Sequence, residues 1–506
     1  MPRKSKRIPY LVLLYMLLLV SCHSTPPSMI KITAPIEPQP ESSPTPEMEI
    51  TATSTLTFLP SPTPSKPIES TISLSPQGPW LVYQKEDHLL YAVNANGTGI
   101  TTIGDSSTGT YPYTGSESSG LLATMIDGKY SFSVDLVLIE FPDLQQKRRI
   151  ALYSYWETEP ENNLDLNIPM EASSSDPKWS PDGSQIAFVA SIDGPSLDLY
   201  LYDSTLDQIK RLSSGDNHAA DPHWSPNGEW IVHSEVSEFN GWLVEALWAA
   251  SADGKQMKWL FAPEGSWTPW ILEWVGEDSF ICILRSSGGE QIIRHVDISD
   301  GTVTILFPEY LHTIPAVDPI TGAVAFSPML GVKDVEPMLN QNGIYIISPP
   351  SRQITLVVQD KWGSYWDQGT NQFVTIVSCV EEPDGYIVFD GDGNTSCESL
   401  QRIEKSPNSR WQLVFDSHPF FSEASTQIRV FDKSNNQVGI VPNIKNGDVH
   451  WLPDESGFFI LEDDSLYHVE LPSLTVRLID RDVVPEVPNY FLTPRRLPNI
   501  TFVSRN

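Results

Sequence analysis

Asp176-Pro177-Lys178-Trp179-Ser180-Pro181-Asp182-Gly183-Ser184-Gln185-Ile186-Ala187-Phe188-Val189 reads as a turn that launches a strand, and its pattern returns along most of the chain that follows. Pro181 pre-sets φ for the first central position of a type I turn. Asp182 bonds nearby backbone from the second, and Gly183 tolerates the left-handed geometry after it. Ile186 to Val189 then reads as a short strand buried on both faces. After a polar gap come Leu197 to Tyr202, a turn through Asp203 and Ser204, and Ile209 to Leu212. With a lead-in strand at Lys178 and Trp179, the unit is a four-stranded meander.

Its nearest copy is Asp221-Pro222-His223-Trp224-Ser225-Pro226-Asn227-Gly228-Glu229-Trp230-Ile231-Val232-His233, in which Trp224 follows Trp179 by 45 residues. That period belongs to propeller blades rather than helical repeats. Weaker openings occur at Leu74 to Tyr83, before Leu121, at Trp274, at Val317-Asp318-Pro319, at Trp366-Asp367, at Ser406-Pro407-Asn408 and at Trp451-Leu452-Pro453-Asp454, each followed by short apolar runs. Helical periodicity is absent. The fold class is therefore all-β, a single β-propeller of four-stranded blades. Nine openings are legible, and eight blades are expected, with seven or nine as the alternatives, because the first and last openings can share one blade.

Before the repeats, Arg3, Lys4, Lys6 and Arg7 precede an apolar run from Tyr10 to Val20 that is short for a membrane span, as in an export signal over residues 1–21. Its end, Leu19-Val20-Ser21-Cys22, resembles the lipobox of bacterial lipoproteins, which implies lipidation at Cys22 and attachment to the cell membrane or outer membrane; an ordinary signal peptide is the alternative. Residues 22–70 are rich in Pro, Ser and Thr and read as a solvated tether with a reach on the order of 150 Å. The propeller is expected over 71–485, followed by a tail over 486–506 available to close the last blade. Loss of the signal takes the formal charge from −32 to −36. Such acidity, without a basic patch, excludes nucleic acid as a partner, and membrane contact is expected through the lipid alone.

The openings Trp179-Ser180-Pro181-Asp182-Gly183 and Trp224-Ser225-Pro226-Asn227-Gly228, each followed by an apolar strand, resemble the TolB-type repeat of bacterial β-propellers, a relative of the tryptophan-aspartate repeat. The resemblance is strong over 176–262 and partial at 74–84 and 405–461. It implies a binding or scaffolding propeller outside the cytoplasm, in some relatives fused to a serine hydrolase. The chain carries no Gly-x-Ser-x-Gly elbow and no His-Glu-x-x-His, so no catalytic residue, cofactor or metal is assigned.

Other residues have a structural reading beside a functional one. Asp390, Asp392 and Asn394 alternate like calcium ligands, but Thr395 and Gln401 stand where such a loop needs glycine and glutamate, and an acidic hairpin turn is the alternative. Cys379 and Cys397 are candidates for a disulfide closing about twenty residues, worth about 3 kcal/mol. Cys282 lies alone in an apolar strand. Trp267, Trp270, Trp362 and Tyr365 are candidate binding aromatics on inter-blade connections, suited to stacking on sugars or anchoring a protein, the alternative being packing between blades. The expectation is a non-catalytic envelope module for protein or glycan partners. A propeller enzyme acting on extracellular polysaccharide, or a structural subunit of an envelope assembly, are the rival readings.

Overall fold

The computed structural model describes residues 73–505 apart from 105–112, 130–132, 156–174, 240–241, 263–266, 287–288, 309, 330–338, 340, 350–351, 368–369, 379–385, 399–401, 416–426, 445–446 and 485–499. Cys22, the tether and Cys379 lie outside these residues. Among those described, every strand of the nine sheets is antiparallel to its neighbours, and each sheet has four strands.

The first blade pairs β1 (Trp80–Gln84), β2 (Leu90–Asn94) and β3 (Thr101–Ile103) with the last strand of the chain, β36 (Ile500–Val503). The second holds β4 (Tyr113–Gly115), β5 (Leu121–Asp127), β6 (Val134–Glu140) and β7 (Gln145–Ala151). The third holds β8 (Lys178–Trp179), β9 (Gln185–Ala190), β10 (Asp198–Asp203) and β11 (Gln208–Arg211). In the fourth, β12 (His218–Trp224) and β15 (Met257–Phe261) flank the longer β13 (Trp230–Phe239) and β14 (Trp242–Ser251). The fifth comprises β16 (Trp267–Val275), β17 (Ser279–Ser286), β18 (Gln291–Asp297) and β19 (Val303–Phe307). Then come β20 (Ala316–Val317), β21 (Val324–Phe326), β22 (Gly343–Ile347) and β23 (Ile354–Gln359), followed by β24 (Ser364–Asp367), β25 (Gln372–Ser378), β26 (Tyr386–Phe389) and β27 (Thr395–Glu398). The eighth blade is β28 (Ile403–Lys405), β29 (Trp411–Phe415), β30 (Ile428–Asp432) and β31 (Gln437–Ile440), and the ninth is β32 (Asp448–Trp451), β33 (Gly457–Glu462), β34 (Ser465–Glu470) and β35 (Thr475–Asp480).

The described residues thus form nine blades, one of the two alternatives to the eight expected. The first and last openings do not share a sheet, because the unit at Trp80 takes its missing lead-in strand from β36 while the unit at Trp451 is complete by itself. The C-terminal segment accordingly joins the first blade rather than the last, with Trp80 opposite Val503 and Tyr83 opposite Ile500.

Local chemistry makes the blade openings. The Ser180 hydroxyl donates to Asp182 Oδ1 (2.6 Å) and accepts from Gln185 N (3.0 Å), while Asp182 Oδ1 also accepts from Ser184 N (3.0 Å). In the fourth blade Ser225 donates to Asn227 Oδ1 (2.7 Å), which accepts from Glu229 N (3.0 Å). Asp and Asn exchange freely here because the turn asks only for an acceptor oxygen. Gly183 and Gly228 follow at φ +69° and +71°, the left-handed region. Asp182→Ala should therefore cost about 1–2 kcal/mol and Asp182→Asn almost nothing, read as urea midpoints; equal losses would count against this account.

In the third and fourth blades the tryptophan of the opening ties its blade to the one before. Trp179 Nε1 donates to the Thr114 carbonyl in β4 (3.1 Å), and Trp224 Nε1 to the Lys178 carbonyl in β8 (2.9 Å). Behind these ties, the middle strands are buried on both faces by neighbouring blades, as in β9 and β10, whereas outermost strands such as β11 and β31 are largely exposed. Shared apolar clusters bridge adjacent blades: Leu136 and Leu138 with Phe188 and Tyr200, Val232 and Ala249 with Phe280 and Leu284, and Phe459 and Leu466 with Leu81 and Tyr83. Burial of this kind stabilises by about 25 cal/mol per Å² of apolar surface and fixes the inner strands on which the site is built.

Candidate functional site

Blades three, four and five meet at a cleft of about 190 Å³ lined by Ser175, Asp176, Ala220, Asp221, Ser234, Glu245, Thr268, Pro269 and Trp270. Each comes from a position that the repeat dictates. Asp176 and Asp221 both stand three residues before the opening tryptophan, so neighbouring blades bring equivalent carboxylates side by side. The register between β12 and β13 shifts between Ala220 and His223, and within that irregularity Asp221 adopts φ +48°. A bulge of this sort re-aims a side chain that the regular pleat would point elsewhere. From the long hairpin of the fourth blade come Ser234 on β13 and Glu245 on β14, and the start of β16 adds Thr268, Pro269 and Trp270.

Hydrogen bonds hold these groups in place. Asp221 N donates to Ser175 Oγ (2.9 Å), and Asp221 Oδ2 lies 2.8 Å from His223 Nε2. The Thr268 hydroxyl donates to Glu245 Oε1 (3.0 Å). Lys178 Nζ stands 3.5 Å from Asp176 Oδ2, and the Arg285 guanidinium rests 4.8 Å from the Trp270 ring centroid. Burial pushes the Asp176 carboxyl above its usual range; Lys178 opposes the shift, and the neighbouring Asp221 charge adds to it. Chemically the cleft offers carboxylate acceptors, hydroxyls and one aromatic wall.

Of the aromatics expected to bind, Trp270 lines this cleft. Trp267 and Trp270 belong to the strand β16 rather than to a connection, because the first strand of the fifth blade runs over nine residues. Trp362 is 57% exposed on the approach to β24, apart from the cleft, and Tyr365 packs within its own blade against Val374, Tyr386 and Val388. Trp274 and Trp366 pack edge-on against Phe280 and Phe373. Cys397 is disulfide-bonded, and Cys282 is a free, buried thiol pushed up to about 12 by burial.

Asp390, Asp392 and Asn394 form the turn between β26 and β27. Asp390 Oδ1 accepts from the backbone N–H groups of Asp392 and Asn394, and Oδ2 accepts from the Asn394 amide. These bonds hold the hairpin, and among the described residues no three His, Cys, Asp or Glu side chains are grouped to hold a metal ion. Sequence reading passed over Asp176, Asp221 and Glu245 as site residues. The signal for the first two was the repeated Asp-Pro before each tryptophan; Glu245 had none.

No family model matches the chain. An uncharacterized peptidase, YuxL, of Bacillus subtilis (strain 168) is 36% identical over 62 residues, which is 12% of this chain and 9% of that protein. The chain therefore spans a small fraction of the curated relative it matches. Similar solved structures include a eukaryotic initiation factor (12% identity, 81% of this chain and 96% of that one, TM-score 0.45). An oligogalacturonate lyase in complex with manganese is also similar (14%, 58% and 88%, 0.33), as is TolB from Acinetobacter baumannii (17%, 57% and 65%, 0.27). At these identities the likeness concerns the fold.

Proposed function

We propose that this chain is an envelope lipoprotein, exported and anchored through Cys22, whose propeller is a non-catalytic module that engages a protein or glycan partner at the cleft between blades three, four and five. The observation that carries this reading is the meeting of equivalent aspartates from adjacent blades with Glu245 and Trp270 in one opening. Carboxylates beside an aromatic wall bind by accepting hydrogen bonds and excluding water, and neither role needs a reaction. The export signal, the tether and the acidic surface fit a domain held away from a membrane in an aqueous exterior.

A second reading is favoured by one specific feature. Asp176, held toward its protonated form by burial, stands beside a second carboxyl group, Asp221, and an acid next to another carboxyl group is what cleavage of a glycosidic bond uses. Screening the full chain against arrayed glycans and peptides, with reducing-end assays on the same glycans, separates the two. The binding reading expects retention reduced about tenfold by Trp270→Ala and no new reducing ends. Turnover abolished by Asp176→Asn would replace it with the enzyme.

A further inference from the structure

We propose that the cleft seats a single cationic side chain, a lysine ammonium or an arginine guanidinium, carried on an extended segment of a protein partner. This rests on the binding reading above and narrows it from protein or glycan to protein.

Charge is the first reason. Three lining residues, Asp176, Asp221 and Glu245, carry carboxyl groups, and none of the lining residues is a lysine or arginine. Lys178 and Arg285 stand behind the lining, against Asp176 and on Trp270 respectively. A neutral ligand would strip water from these carboxylates and return hydrogen bonds but no charge, whereas an ammonium or guanidinium returns both.

Ser234 is the second reason. It is only 5% exposed, and among the described residues its hydroxyl makes no hydrogen bond. The other hydroxyls of the lining are engaged, Thr268 with Glu245 and Ser175 with the Asp221 backbone. An entering cationic N–H that donates to this oxygen makes a charge-assisted hydrogen bond, stronger than the one a neutral donor would make. Size is the third reason. At about 190 Å³ the opening is smaller than the roughly 300–1,000 Å³ of sites that enclose a whole ligand, so it admits the head of one side chain and not successive sugar rings.

The test is fluorescence anisotropy of the full chain in detergent with capped, labelled pentaglycine peptides bearing Arg, Lys or Gln at the centre, alongside neutral oligosaccharides. The Arg and Lys peptides are expected to bind about tenfold or more tightly than the Gln peptide, with the gap narrowing as salt rises. Asp221→Asn should erase that gap, since asparagine tolerates the left-handed backbone at this position. Ser234→Val should weaken the cationic peptides while leaving every carboxylate in place, and thermal melts of both variants confirm folding. A Gln peptide that binds as well as the Arg peptide, or a preference that survives both substitutions, overturns the proposal. Oligosaccharides bound through Trp270 without cation preference would leave the binding reading standing and sink this one; no binding of any probe would sink both.

Discussion

Truncation after Asn499 should abolish the single cooperative unfolding transition, or lower its midpoint by more than 10 °C. The deleted piece supplies β36, whose Ile500 and Val503 are buried against the first blade. It also ties the first blade to the second. Gly115 N donates to Thr501 Oγ1 (3.1 Å), Ser504 N donates to the Ser116 carbonyl (2.9 Å), and Arg505 pairs with Glu140 at 2.6 Å. Each buried aliphatic side chain lost costs about 2–5 kcal/mol, against a total of about 5–15 kcal/mol for a folded domain. Without β36 the inner edge of β1 is left unpaired, and the ring becomes an open array with a sticky strand. Calorimetry of the truncated chain beside Ile500→Ala, for which a loss of about 2–5 kcal/mol is expected, is the measurement. A truncated protein that melts like the intact one would show that closure through the C-terminus contributes nothing.

Acid should weaken the propeller well before its carboxylates are neutralised. Burial pushes the fully enclosed His233 down to about 4. His468 also falls to about 4 through burial, with Arg477 adding and Glu470 opposing. His450, half-buried with its Nε2 shut off from solvent, falls to about 4 through burial, with Asp448 opposing and Arg402 adding. The unfolded chain titrates these imidazoles near 6.5. Between about pH 6.5 and 4 it takes up protons that the native state refuses, so their stability is whole above 6.5 and drains as pH falls toward 4. At about 1.4 kcal/mol per pH unit, His233 alone accounts for a loss on the order of 3 kcal/mol at the bottom of that window. Asp176, Asp198 and Glu235, raised by burial, protonate more readily when native and return part of it at the acid end. Urea midpoints at pH 7.5, 6, 5 and 4.5 should fall steadily, and His233→Leu should flatten that fall. An unchanged slope in the variant would remove His233 from the account.

Most of the strand plan was legible in the chain alone, because turn chemistry and short apolar runs act over a few residues. The Ser180 and Ser225 turns, the strand after each, and all nine openings are properties of local sequence, and each opening corresponds to one sheet. The openings left the choice among seven, eight and nine blades unsettled, because it turns on whether residues 500–503 pair with Trp80 to Tyr83, a contact across nearly the whole chain. Nor was the cleft. Asp176, Asp221, Glu245 and Trp270 are spread over almost a hundred residues and converge only when three blades stand side by side and an irregularity in β12 turns Asp221 toward its neighbours. Sequence alone therefore determined what each blade is, since hydrogen bonds and burial within a meander depend on near neighbours. The tertiary structure decided how many blades there are and which side chains meet, since those depend on closing a ring.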